Sequence, residues 1–191
     1  MTHSRYSTVA IGLHWLIALI IVANLAGGLL LDTFLDSPDP QMKMTGFTII
    51  QLHKALGLTI IGLTLLRLMW RLANPAPPLP AHMTPLERLL AKATHWGFYA
   101  LMLLIPLSGW AMVSASAKRF PISYFGLFNV PYLPVEQSKA IGGFLHETHE
   151  LLAFAMIGLL VLHIVAALKH HYFDRDDVLV RMFPVVRQRG L

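Results

Sequence analysis

Four long apolar segments constrain the fold of this chain more than any other feature. They span about residues 9–31, 49–72, 93–113 and 147–168. Each reaches the roughly 20 residues that an α-helix needs to cross the hydrocarbon core of a bilayer. Because lipid offers the backbone no hydrogen bonds, segments of this length are expected to cross it as helices. The sequence therefore predicts one all-α domain over residues 1–191, an integral membrane four-helix bundle.

The composition agrees with lipid as the solvent. The chain is 55% hydrophobic and 13% charged, and its mean hydropathy is +0.60. This charged fraction is about half of that in a typical soluble domain. Basic residues beside apolar spans usually report membrane topology, so the net charge of +5 favours a lipid bilayer rather than nucleic acid as partner. The absence of cysteine excludes disulfides, thiolate clusters and covalently attached haem.

Two short motifs mark the connection between the second and third segments. The run from Asn74 to Pro80 contains four prolines and cannot continue a helix. Thr84, Pro85 and Glu87 then match a capping box with proline in the first turn. The third helix is therefore expected to begin in a polar stretch, ahead of its apolar part.

The basic residues are distributed unequally between the two sides of the predicted bundle. Ten belong to the side with both termini: Arg5, Arg67, Arg71, Arg88, Lys92, Lys169, Arg175, Arg181, Arg187 and Arg189. Five belong to the other: Lys43, Lys54, Lys118, Arg119 and Lys139. By the positive-inside rule, both termini are expected in the cytoplasm.

Four histidines fall at two depths of the predicted bundle. His14 begins the first segment on the cytoplasmic side, and His53 begins the second on the outer side. His149 and His163 are fourteen residues apart on the fourth segment, which corresponds to about 21 Å of helix and nearly the same helix face. We therefore expect an inner pair, His14 with His163, and an outer pair, His53 with His149.

Paired imidazoles inside an apolar bundle are typical of haem iron, which takes two axial histidines while the macrocycle fills the space between helices. Two such pairs predict two non-covalent b-type haems between the helices. Bis-histidine ligation leaves no open iron position and therefore favours electron transfer. The alternative is a haem-free transport path or metal site lined by unrelated polar residues, which depth-matched pairing disfavours because ionisable groups in a membrane are costly.

His146 competes with His149 as the outer ligand. It is seventeen residues before His163, which places the two side chains about 100° apart around the helix, so His149 is preferred. The run from His146 to Glu150 lacks the i, i+4 histidine spacing of a zinc-protease helix. A surface zinc site is the other interpretation of this run.

Two further side chains are candidates at the inner level. Arg67 follows His53 by fourteen residues on the same face of the second segment. It could pair with haem propionates or a quinone carbonyl, or it could be an arginine that snorkels to the interface. His95 has no obvious partner in the sequence. It could bond a propionate, line a quinone pocket or be an ordinary polar residue at a helix start.

His170 continues the face of His163 seven residues further on. Together with His171 and Tyr172 it forms a candidate proton-donating cluster, because histidine titrates near neutral pH. An anchor at the membrane interface is the alternative interpretation.

A set of motifs in a fixed order resembles the bacterial cytochrome b561 family, which is related to the cytochrome b subunits of nickel–iron hydrogenases. The motifs are Tyr6, His14-Trp15, His53-Lys54-x-x-Gly57, Arg67, Trp70-Arg71, the loop Pro75–Pro80, His95, Tyr99, Pro106, Gly109, His149-Glu150, His163 and His170-His171-Tyr172-Phe173. They cover nearly the whole chain.

The resemblance implies a protein of the bacterial inner membrane that exchanges electrons with ubiquinone. It implies the same ligands, His14 with His163 and His53 with His149. One branch of the family resembles a superoxide oxidase, which passes an electron from superoxide on the outer side to ubiquinone. The alternative is a haem-containing anchor and electron conduit for a separate redox protein. The resemblance leaves the physiological donor and the oligomeric state open.

The outer side carries charges of both signs. Lys54, Lys118, Arg119 and Lys139 could attract an anion, but Asp32, Asp36, Asp39 and Glu136 oppose it. The segment 117–140 is longer and richer in aromatic residues than a minimal connection needs. It is expected to form a lid over the outer haem or a docking surface for a partner.

Overall fold

The computed structural model describes residues 5–183, and four long helices account for most of them. They are α1 (Thr8–Leu35), α2 (Pro40–Ala73), α3 (Pro85–Ala115) and α4 (Lys139–Lys169). Each is long and apolar enough to cross a membrane. The predicted membrane four-helix bundle is therefore confirmed. All four helices extend beyond the apolar segments, because polar turns continue the hydrogen-bonded backbone on either side.

Side-chain caps fix where the helices begin. The predicted capping box is present at α3, where the Thr84 hydroxyl accepts from the Glu87 amide and the Glu87 carboxylate accepts from the Thr84 amide. The side chains of Ser7, Asp39 and Ser138 accept backbone amides at the starts of α1, α2 and α4. These caps satisfy donors that each first turn would otherwise leave unpaired.

The helices pack as two antiparallel hairpins. Helix α1 packs along α2, and α3 packs along α4, while α2 also contacts α3. By contrast, α1 hardly approaches α4. The buried core lies between the two histidine levels: Ile17, Ile21, Ile60, Tyr99, Met102 and Met156. The bundle thus has an apolar middle layer and a gap between α1 and α4.

We call the end where α1 begins and α4 ends the inner end, after the predicted orientation, and the opposite end the outer end. A π turn (His170–Asp174) and a short helix α5 (Val178–Met182) follow α4 at the inner end. The Trp15 indole donates to the Met182 carbonyl at 2.8 Å, and the Arg181 guanidinium donates to the Pro78 carbonyl at 2.6 Å. These bonds fasten the segment after α4 across the inner end. Arg187 and Arg189 lie outside the described residues.

A β-hairpin follows α3 at the outer end, within the segment 117–140. Strands β1 (Ile122–Tyr124) and β2 (Phe128–Val130) pair antiparallel. Phe125 and Gly126 both have positive φ, 50° and 77°, and the Leu127 amide donates to the Tyr124 carbonyl across the turn at 2.9 Å. The Tyr124 hydroxyl bonds the Thr59 hydroxyl of α2 at 3.1 Å, so the hairpin lies against α2. The sequence analysis predicted no strands here.

Two threonines of α2 offer a matched test of hydrogen bonding in this bundle. Thr64 is fully buried and its hydroxyl has no partner within the described residues, whereas the hydroxyl of Thr59 is bonded to Tyr124. Thr64→Val should therefore raise the free energy of unfolding by about 1 kcal/mol, and Thr59→Val should lower it by about 1 kcal/mol. Apparent melting temperatures of the purified proteins in detergent measure both. Equal shifts in the two variants would contradict this assignment.

Candidate functional site

The outer histidines face each other across the bundle. His53 on α2 and His149 on α4 have ring centroids 6.1 Å apart. The Nδ1 atom of His53 lies 3.1 Å from the Asn24 carbonyl oxygen, and that of His149 lies 2.9 Å from the Ile105 carbonyl oxygen. Since a carbonyl only accepts, both Nδ1 atoms carry the proton. The Nε2 atoms are therefore the available lone pairs of this outer pair.

Glycine backbone lies directly against both outer rings. A Cβ atom on Gly28 would lie 3.1 Å from Cε1 of His53, and one on Gly109 would lie 2.9 Å from Cε1 of His149. Any side chain at Gly109 would therefore displace the imidazole. Because glycine has no side chain, Gly28 and Gly109 leave room for the two imidazoles in their observed orientations.

A cavity of about 390 Å³ adjoins the outer pair and is lined by all four helices. Its lining is mostly apolar, and Ile122 of β1 contributes to it, so the hairpin takes part in enclosing this site. The charged side chains among the lining residues are Asp32, Lys54 and Glu150. A cavity of this size, apolar with a few convergent polar groups, is typical of ligand and cofactor sites.

The inner pair has the same spacing. The ring centroids of His14 on α1 and His163 on α4 are 6.3 Å apart. Within the described residues, the buried Nδ1 atom of His14 has no hydrogen-bond partner. The predicted pairings of helices and depths thus correspond to two pairs of facing rings.

His95, for which no partner was predicted, also lies beside His163. Its ring centroid is 6.2 Å from that of His163, and its Nδ1 lies 2.7 Å from the Ala91 carbonyl oxygen. His163 therefore has two imidazole neighbours, one on α1 and one on α3. On the α3 side the ring of Phe98 also packs against His163, with centroids 5.3 Å apart.

Arg67 turns toward the interior of the bundle. Its guanidinium carbon lies 5.9 Å from the centroid of the buried Tyr99 ring. Arg71 lies 5.8 Å from the same tyrosine ring. Two cations of α2 thus approach the Tyr99 ring. Sequence reasoning gave Tyr99 no role of its own, although its position four residues after His95 places both on one face of α3.

His170 is buried at the inner end and bonds carboxylates. Its Nδ1 lies 2.7 Å from Asp176 Oδ2 and 3.0 Å from Asp174 Oδ2. His171 is buried as well, and its ring contacts Tyr172 with centroids 4.9 Å apart. Sequence reasoning missed both aspartates, although Asp174 follows His170 by four residues and so shares its helix face; Asp176, two residues further on, does not. They reach His170 through the π turn and the chain reversal after it.

His146 is exposed and lines the outer cavity. Among the ring contacts of the described residues, His53 faces His149 and not His146. Of the four outer cations, Lys54 lines the cavity. Arg119 instead donates to the Ser114 carbonyl at 3.0 Å and packs on Tyr132. Arg119 therefore has a structural role in the segment after α3.

Comparison with known proteins gives consistent matches over nearly the whole chain. The family described as prokaryotic cytochrome b561 matches residues 5–185. Cytochrome b561 homolog 2 of Escherichia coli K12 is 36% identical over 95% of this chain and 92% of its own length. A protein of Yersinia pestis named probable superoxide oxidase CybB is 32% identical over 98% of this chain and 99% of its own length. Cytochrome b561 homolog 1 of Escherichia coli K12 is 32% identical over 95% and 98%, respectively.

Proposed function

Because this chain belongs to the prokaryotic cytochrome b561 family of haem b membrane electron carriers, we propose that it is a di-haem cytochrome transferring electrons between an outer donor and ubiquinone. The observation that carries the proposal is the presence of two facing histidine pairs at opposite ends of one bundle. The proposed membrane is the bacterial inner membrane, with both termini cytoplasmic. When bound, the haems would supply one-electron redox chemistry.

The spacing of the rings fits a shared metal ion. A first-row metal bonds an imidazole nitrogen at about 2 Å, and the ring centre lies about 1 Å beyond it, so two axial imidazoles have centroids roughly 6 Å apart. The observed separations are 6.1 Å for the outer pair and 6.3 Å for the inner pair. In addition, both outer histidines donate Nδ1–H to a carbonyl, the bond that orients most metal-binding histidines.

His14 is the proposed inner partner of His163, although His95 is equally near. Helices α3 and α4 pack closely, and Phe98 already covers the α3 side of His163. Helices α1 and α4 hardly touch, which leaves the width that a flat macrocycle needs on the α1 side. His95 is then free to bond a haem propionate or a quinone.

The middle layer of the bundle separates the two sites. Met156 is buried and lies seven residues from each of His149 and His163 on α4, about 10 Å of helix in either direction. Tyr99 and Met102 fill the same layer from α3. The side chains of this layer are apolar, so they disfavour the entry of ions between the two sites, and an electron could pass without a conductive path for ions.

The inner end supplies groups suited to a quinone. Arg67 offers hydrogen-bond donors to a carbonyl oxygen or a propionate. His170, buried and bonded to Asp176, is placed to supply a proton when the quinone is reduced. We therefore assign quinone contact to Arg67, His95 and His170 at the inner end.

The outer donor is proposed to be superoxide. The Yersinia pestis relative carries the name of a probable superoxide oxidase, and Lys54 lines the outer cavity, where its charge would attract a small anion.

The second candidate function is that of an electron conduit for a separate redox protein. The exposed Phe125, Leu127 and Phe128 of the hairpin favour it, because exposed apolar clusters often bind proteins.

Ligand variants test the histidine assignment. His149→Ala or His53→Ala should remove the outer haem and retain the inner one, because each leaves the iron one axial ligand short. His14→Ala or His163→Ala should do the converse, and His146→Ala and His95→Ala should each retain both. Pyridine haemochrome assays give the haem-to-protein ratio, and low-temperature spectra distinguish the two haems. Haem loss in His95→Ala with retention in His14→Ala would overturn the inner assignment. A wild type without reducible b-type haem would overturn the proposal itself.

Gly109 tests the role of backbone approach at His149. Gly109→Val should lose most of the outer haem and keep the inner one, because the added carbons meet the imidazole ring. Gly158→Val is the matched control, since a Cβ there meets no atom within 4 Å. The same haem ratio measures both. Equal haem contents in the two variants would show that Gly109 does not position His149.

Superoxide-driven haem reduction tests the donor. Superoxide should reduce the haems of the wild type, and added ubiquinone should reoxidise them. Lys54→Gln should lower the rate of reduction about 2–10-fold, because it removes a cation near the entry. Lys139→Gln, which alters an exposed lysine away from the cavity, should leave the rate unchanged. If superoxide leaves the haems oxidised while a co-purifying protein reduces them, the conduit function is correct.

A further inference from the structure

Four metal-binding side chains converge at the inner end, just beyond the last turn of α4. The ligand atoms of His170, Asp174 and Asp176 all lie within 4.8 Å of one another. His82, from the connection between α2 and α3, brings its Nε2 atom to 3.3 Å from Asp176 Oδ2. Two imidazoles and two carboxylates thus meet from segments about ninety residues apart.

The centre of the cluster is a buried carboxylate without a permanent counter-charge. The Asp176 side chain is 5% exposed. Within the described residues, its ion-pair partners are His82 and His170, and neither is a fixed cation. Its second oxygen accepts the Val178 amide at 3.0 Å. Because an ionised carboxylate is costly to bury unless it is paired or bound to a metal, this position favours an added cation.

Lys169, the lysine beside the cluster, forms ion pairs at its edge and not with Asp176. Lys169 lies 2.7 Å from Glu87 and 2.9 Å from Asp174. It can keep the Glu87 contact when Asp174 turns to another cation. Lys169 therefore competes with a bound ion for Asp174. Among the described residues, no lysine or arginine competes in this way for Asp176.

We propose that His82, His170, Asp174 and Asp176 form a binding site for a divalent transition-metal ion, with Zn²⁺ as the best fit. Tetrahedral Zn²⁺ with bonds of about 2 Å keeps its ligand atoms roughly 3.3 Å apart. The contacts from Asp176 Oδ2 to His82 and His170 are 3.3 and 2.7 Å, and that from Asp174 Oδ2 to His170 is 3.0 Å. Around an ion these contacts would lengthen slightly, and the exposed His82 side chain, which now contacts Asp176, would turn toward His170 and Asp174. On binding, His170 Nδ1 releases its proton to solvent and donates its lone pair to the metal.

The site would add a second link between two parts of the chain that the Arg181–Pro78 hydrogen bond already joins. His82 belongs to the turn before α3, and the other three ligands follow α4. A bound ion would therefore fasten this connection to the segment after α4. The site shares His170 with the proposed quinone contact, so a bound ion would also take the Nδ1 position from which His170 is proposed to supply a proton.

Zn²⁺ titration of the purified holo-cytochrome in detergent, in competition with a chromophoric chelator, tests the site. One Zn²⁺ per chain should bind and raise the apparent melting temperature. His82→Gln should weaken binding about tenfold or more while leaving the haem spectrum and the metal-free melting temperature unchanged, since its side chain is 55% exposed. Asp176→Asn should abolish binding. If Asp176→Asn does not fold, His82→Gln decides the outcome alone.

His146→Gln is the matched control, because it alters an exposed histidine at the outer end beside another candidate zinc run. It should bind Zn²⁺ as the wild type does. X-ray absorption at the zinc edge, which the haems do not obscure, should show four nitrogen or oxygen ligands including two imidazoles. The proposal is overturned if Zn²⁺ affinity is unchanged in His82→Gln, if it is lost in His146→Gln, or if the wild type binds none.

Discussion

The fourteen-residue spacing of His149 and His163 on α4 is the constraint on which the rest of the structure depends. Fourteen residues return a helix almost to the same face, so one face of α4 supplies an imidazole at each level. The opposing imidazoles come from two different helices, His14 on α1 and His53 on α2, which run in opposite directions. Helix α4 packs closely along α3 and hardly contacts α1. Its histidine face borders the space where the proposed haems would lie.

The parts of the structure that sequence reasoning predicted are those governed by regular helix geometry. Span number follows from the length of apolar runs, and the start of α3 follows from the local chemistry of Thr84 and Glu87. The facing of His14 with His163, and of His53 with His149, follows from depth and angle along straight helices. In each case the determining information lies within a few turns of one helix, and the bilayer supplies a common reference level.

What sequence reasoning missed depends on tertiary packing or on irregular backbone. His95 lies beside His163 because α3 and α4 form a close hairpin, and no periodicity within α3 specifies that distance. Asp176 reaches His170 through a π turn and a reversal at Arg175, whose φ is 55°. The β-hairpin depends on a positive φ at Phe125, a residue that rarely adopts one. Helical patterning carries no signal for such features.

The two levels also differ in charge, and this difference bears on the direction of electron flow. At the outer level Lys54 shares the cavity lining with Asp32 and Glu150, so opposite charges largely offset one another. At the inner level Arg67 and Arg71 both approach the ring of Tyr99, which lies one turn after His95 on α3, and the His95 ring contacts that of His163. A nearby cation stabilises an added electron, and the stabilisation is greater in a low-dielectric interior than in water. Under the proposed function, an electron is therefore more stable at the inner haem. The charge distribution itself favours passage from the outer donor toward the quinone.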